Sequence, residues 1–97
     1  SVEDFLLRLQ SALRVADTEE LEALLAPDLA QGKQPVMEFL SSLTTSQRWS
    51  YQQITMEPFS VVVLVPHSEN SRFLLHLELT PGLQHWLIQS IQIFPLS

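Results

Sequence analysis

RFLLHLELT, residues 72–80, is the stretch whose pattern decides the fold class. Phe73, Leu75, Leu77 and Leu79 alternate with Leu74, His76 and Glu78, and a period of two marks a strand with one buried face. Pro81 and Gly82 form a turn, and residues 85–94 make the next strand. Upstream, residues 61–65 are an unbroken apolar run, and residues 66–71 are a polar, turn-rich loop. Residues 49–59 mix aromatic and β-branched residues with polar ones as a long first strand. Its alternation slips near Gln52 and Gln53, which predicts a bulge.

These strands can be aligned through their loops. An even-length loop around Pro81–Gly82 sets Leu77 opposite Trp86 and Leu75 opposite Ile88. An even-length loop over residues 66–71 sets Leu64 opposite Phe73 and Val62 opposite Leu75, with Val63 beside Leu74 and His85 across from Glu78. The inner face then reads Val62, Leu64, Phe73, Leu75, Leu77, Leu79, Trp86 and Ile88, with no titratable group. Ile91 and Ile93 have the opposite parity, so a bulge at Gln89–Ser90 is expected to return them to this face.

Before residue 47 the period is helical. Phe5, Leu6, Leu9, Ala12, Leu13 and Ala16 share one face of a helix over residues 2–16, with Ser1 and Asp4 as its capping pair. Thr18 is placed to cap a second, shorter helix carrying Leu21, Leu24 and Leu25, which Pro27 stops. Pro35 suits the first position of a third helix that buries Val36, Phe39, Leu40 and Leu43. The chain is therefore one α+β domain over residues 1–97, with three helices within about 2–45 packed on a curved, mainly antiparallel four-stranded sheet at about 47–95.

Composition narrows the function classes. Of 97 residues, 45% are hydrophobic and only 16% charged, which excludes disorder. The formal net charge of −6, without a basic cluster, argues against nucleic acid and against an anionic membrane surface. The longest apolar run is far short of the roughly 20 residues of a spanning helix, so a soluble, acidic protein is expected. Cysteine is absent, and residues 1–4 carry acid rather than a basic signal-peptide start. The first residue is Ser1 rather than Met, as expected of a piece of something longer.

Three stretches resemble the NTF2-like (nuclear transport factor 2-like) superfamily of α+β cones. Residues 17–29, DTEELEALLAPDL, look like its second helix and the corner after it. Residues 32–40, GKQPVMEFL, are similar to its glycine-led entry into the third helix, and residues 86–91, WLIQSI, resemble its closing strand astride a bulge. The family commonly places a strand or hairpin between the second and third helices, whereas only residues 28–33 are available here. The resemblance thus implies a short variant with a reduced pocket mouth. It transfers no catalytic residue; Asp28, the nearest acid, sits beside Pro27 where a corner-capping role is expected.

Four kinds of site are weighed. His76, Glu78 and His85 are a metal-ligand set by type, but alternate strand residues lie about 7 Å apart and a cross-strand polar pair explains them, so no metal is expected. Catalysis would need an acid or base on the inner face, and only Glu57 or Tyr51 of the first strand could supply one. Trp49, Tyr51, Met56 and Trp86 could line a pocket between helices and sheet for a small apolar ligand, or could fill it. Finally, Val61, Val63, Val65, Leu74 and Leu87, with His76 among them, form the expected outer face of the sheet. That face should be polar if water covers it. In NTF2-like proteins it commonly packs on a second copy or a partner domain; the alternative is β-branched residues kept for strand propensity. Phosphate loops, nucleophile elbows and zinc spacings are absent, and no cofactor is expected. The expected function is a non-catalytic interaction or dimerisation module, forming a homodimer or heterodimer through the sheet. The alternatives are an apolar-ligand carrier and an enzyme of the superfamily's isomerase or dehydratase type.

Overall fold

Ser1 starts the first helix by accepting a hydrogen bond at Oγ from the Asp4 amide, 3.2 Å away. The computed structural model describes residues 1–96. Helix α1 spans Val2–Arg14, α2 Thr18–Ala23 and α3 Lys33–Ser41. At the end of α1 the Asp17 amide donates to the Ala12 carbonyl at 2.9 Å and the Ala16 amide to that of Leu13 at 3.3 Å. This is a Schellman closure, and it holds Ala16 at φ 55°, the left-handed position usually given to glycine. Asp17, not Thr18, caps α2, since its Oδ1 accepts from the Glu20 amide. Helix α3 begins two residues before Pro35, with Gly32 as its cap. First-turn amides have no helical partner, so proline is as well tolerated there as at the first position.

Four strands follow: β1 Ser50–Met56, β2 Phe59–Ser68, β3 Ser71–Pro81 and β4 Trp86–Leu96. They form one antiparallel sheet in chain order. The expected first strand thus breaks at a turn over Glu57–Pro58, and Phe59 belongs to β2. Two bulges fall where the alternation slips. Ile54 is the extra residue on β1 and Gln89 the extra residue on β4, after which Ile91 is buried opposite Leu77.

The β2 register differs from expectation by one residue. Strands β2 and β3 run on through residues 66–71 to a tight turn at Glu69–Asn70, and His67 is an additional bulge between Pro66 and Ser68. One inserted residue flips every side chain upstream of it. Val63 therefore pairs with Leu75, Val61 with Leu77 and Val65 with Phe73. These three valines are wholly buried, and Val62 and Leu64 lie on the outer face. At the β3–β4 connection the loop is four residues long, so Trp86 pairs with Pro81 and Ile88 with Leu79, rather than with Leu77 and Leu75. The shift is even, and Ile88 and Trp86 keep the inner face. Glycine is required at Gly82 because a Cβ there would lie 2.6 Å from the His85 carbonyl oxygen.

One core joins both layers: Phe5, Leu9, Leu24 and Leu40 from the helical half meet Val61, Val63, Leu75, Leu77 and Ile88 from the sheet. The short connector between α2 and α3 lies along the β4 edge. Ala26 donates to the Ile88 carbonyl and Ile88 to that of Leu24, each at 2.9 Å, and Ala30 donates to Gln89. Asp28 accepts at Oδ1 from Gln89 Nε2 at 2.9 Å, so the bulge residue is tied to the connector after α2. The opposite edge, β1, is exposed along its whole length.

Candidate interaction surface

The outer face of the sheet is built by the even-numbered residues of β2 and β3 and, beyond the Gln89 bulge, of β4. Register sets Leu64, Leu74 and Phe94 side by side in one row across three strands. Leu64 and Leu74 are half-buried and Phe94 is 46% exposed. The next row is Val62, His76 and Gln92, in which His76 Nδ1 lies 3.2 Å from Gln92 Oε1. Beyond it come Ser60, Glu78 and Ser90, and then Thr80 with Leu87. Arg72 closes the other end, beside Pro66 and Leu96.

Of the six residues expected on this face, Leu74, His76 and Leu87 are there. Val61, Val63 and Val65 are not: they sit under the helices, because of the His67 bulge. Val62, Leu64 and Phe94 take their place. For Phe94 the sequence held a signal, since the bulge that turns Ile91 inward turns Phe94 outward. Residues 61–65 are all apolar and carry no alternation to read.

The four expected pocket residues do not share one cavity. Trp49 is core: it is 3% exposed, and its Nε1 donates to the Thr44 carbonyl at 3.0 Å. Tyr51 and Met56 stand exposed on β1. Trp86 stacks on Phe59, with ring centroids 4.6 Å apart and planes 19° from parallel. Met56 and Trp86 do line one open groove of about 640 Å³ at the end of the sheet, together with Phe59, Leu79 and Pro81. A larger open depression, about 790 Å³, lies between α1 and residues 45–48 and is mostly polar in its side chains; the Glu3–Arg48 ion pair borders it.

The polar trio also comes apart. His85 is in the β3–β4 loop, where its Nδ1–H donates to the Trp86 carbonyl at 2.9 Å, and Ser90 rather than His85 faces Glu78. Among the described residues no three histidines or carboxylates gather as a metal site. Glu57 lies exposed in the β1–β2 turn. No helix of the described residues is long and apolar enough to cross a membrane. No family model matches the chain, and no curated protein or solved structure matches it.

Proposed function

We propose that this chain is a short NTF2-like domain acting as a non-catalytic protein-interaction module through the outer face of its sheet. The order of three helices and a four-stranded antiparallel sheet supports the family reading. So does the Asp28 corner, held by Gln89 in the closing strand. One observation carries the function: Leu64, Leu74 and Phe94 form an apolar row on the face of the sheet turned away from the helices, and no described helix packs on it. An antiparallel sheet that turns one face to water normally makes that face polar, and a contiguous apolar patch is the usual mark of a contact surface. The inner side favours no catalytic reading, since β2, β3 and β4 line it with apolar residues closed under the helices. The test is sedimentation of the wild type and Leu74→Glu, with circular dichroism as a folding control. The variant should lose assembly and keep its fold; a monomeric wild type that binds no protein would remove the reading.

A second reading, a small apolar ligand, is favoured by the groove at the sheet end, where the Phe59–Trp86 stack and Met56 offer apolar walls. Quenching of indole fluorescence by an apolar probe, lost in Trp86→Phe, would support it.

A further inference from the structure

We infer that the open depression beside α1 is a separate recognition site, and that it takes the free carboxyl terminus of an extended polypeptide with apolar end residues. It shares no residue with the outer face of the sheet and does not rest on that face being an interface. One stripe of α1 forms its wall. Glu3, Leu7, Gln10 and Arg14 recur at steps of four, three and four residues, which places them along one side of the helix. The facing wall is residues 45–48, and the depression measures about 790 Å³. At 1.5 Å per residue the stripe runs about 16 Å along the helix. That length holds about four or five extended residues at 3.3 Å each.

The chemistry of the stripe names the occupant. Gln10 is only 5% exposed, a buried polar side chain set into this wall. Its Nε2 donates to the Gln47 carbonyl at 3.1 Å, which fixes which end of the amide is oxygen. Among the described residues no donor reaches that Oε1, and it is not sealed from solvent, so it opens on the depression as a free acceptor. A ligand N–H matches such an acceptor. One turn further along stands Arg14, which enters no ion pair among the described residues. Its place in the last turn of α1 suits the helix dipole, and its planar fork of donors also matches a carboxylate. Arg48, at the other end, is taken by Glu3, so the carboxylate belongs at Arg14. A peptide terminus supplies both partners from one residue: its carboxylate for Arg14 and its N–H for Gln10. The residues before it then run over Leu7, which is 49% exposed in the middle of the stripe, and offer it apolar side chains. Charge selects in the same direction. The chain has a net charge of −6 with five basic residues, yet two of those five, Arg14 and Arg48, border this depression against one carboxylate. An anionic end group is complementary to that spot, and a cationic ligand is not.

The experiment is titration of the isotope-labelled chain with acetyl-Ala-Leu-Ala-Leu, read from the amide shifts of residues 45–48 and from the Gln10 side-chain NH2. The free acid should bind and shift these resonances. Its carboxamide should bind about tenfold more weakly, having lost the charge-assisted bonds to Arg14. The depsipeptide in which an ester oxygen replaces the last N–H should lose about three- to tenfold. Arg14→Gln, at an exposed helix position and checked by circular dichroism, should erase the difference between acid and carboxamide, and Arg14→Lys should restore part of it. Absence of shifts at millimolar peptide overturns the inference. So do equal affinities of acid and carboxamide, a depsipeptide as tight as the peptide, or a preference for the acid that survives Arg14→Gln. Acetyl-leucine binding as tightly as the tetrapeptide would overturn the extended occupant.

Discussion

Replacing Leu75 by alanine should be far more damaging than replacing Leu74, although the two are adjacent and identical. Leu75 is fully buried and pairs with Val63, itself fully buried. Its methyl groups lie between sheet and helices, and the neighbouring strand backbones are fixed by their ladders, so a cavity there can collapse only in part. Leucine-to-alanine changes at such sites cost about 2–5 kcal/mol, and the middle of that range, about 3–4 kcal/mol, is expected here. A domain of this size has a total stability of about 5–15 kcal/mol, so the variant should still fold. At about 4–8 °C per kcal/mol, its melting temperature should fall by about 12–30 °C. Leu74 is only half-buried. Its truncation forfeits part of a transfer free energy of about 1.5–3 kcal/mol and leaves no enclosed void, so about 1 kcal/mol is expected in the monomer. Urea denaturation followed by circular dichroism measures both. The costs should also respond differently to concentration: that of Leu74→Ala should grow with protein concentration if assembly buries the site, and that of Leu75→Ala should not. Equal costs at low concentration, or a larger one for Leu74, would refute the register that puts Val63 and Leu75 inside.

Ala16→Gly should stabilise the fold by about 0.5–1 kcal/mol, since Ala16 holds a left-handed φ of 55° at the close of α1; the left-handed cost to alanine exceeds glycine's extra chain entropy, and a thermal melt reads the gain. Asp17→Ala should cost about 1 kcal/mol by removing the side-chain cap on the Glu20 amide, visible as a lower urea midpoint at unchanged slope. Gln89→Ala should cost about 0.5–1.5 kcal/mol through loss of its bond to Asp28, and hydrogen exchange should quicken at Ala26 and Ala30. The pair Leu64→Thr and Leu74→Thr keeps strand-compatible residues on the outer face; monomer stability should change by about 1 kcal/mol or less, while sedimentation should show assembly lost.

The helices were legible because their signals are local. Ser1 and Asp4, the spacing of Phe5, Leu9 and Ala12, and the Pro27 stop each act within one or two turns. The Ile54 and Gln89 bulges were legible because alternation on each side of them is clean enough to show the slip. Residues 61–65 offered nothing comparable: Val-Val-Val-Leu-Val fits either face, so its orientation had to be borrowed from the loop after it. That loop hides the His67 bulge, whose neighbours Pro66 and Ser68 give no alternation to break. Half of the expected surface therefore went to the core, and Val62 and Leu64 were assigned inward. The pocket residues failed for a different reason. An aromatic ring signals burial without saying in which layer: Trp49 is buried beside Thr44, whereas Trp86 is half-buried elsewhere, stacked on Phe59.

Strand propensity is the competing account of an apolar outer face, and the corrected register weakens it. Propensity favours β-branched and aromatic side chains. It accounted well for Val61, Val63 and Val65, but those three proved to be core and need no such explanation. What stands outside is Val62 with Leu64, Leu74, Leu87 and Phe94, and leucine is not among the residues a strand prefers for its backbone. The edge strand β1 is exposed throughout and mixes polar residues with Tyr51, Ile54 and Met56, but the positions it sets beside outward Leu64, Val62 and Ser60 are Ser50, Gln52 and Thr55. Polar residues are therefore compatible with this face, and the row Leu64, Leu74 and Phe94 lacks them across three adjacent strands. A bias toward strand formation would be spread along each strand; a contact surface concentrates apolar residues across strands. The observed row follows the second pattern, and this distribution supports the interaction reading.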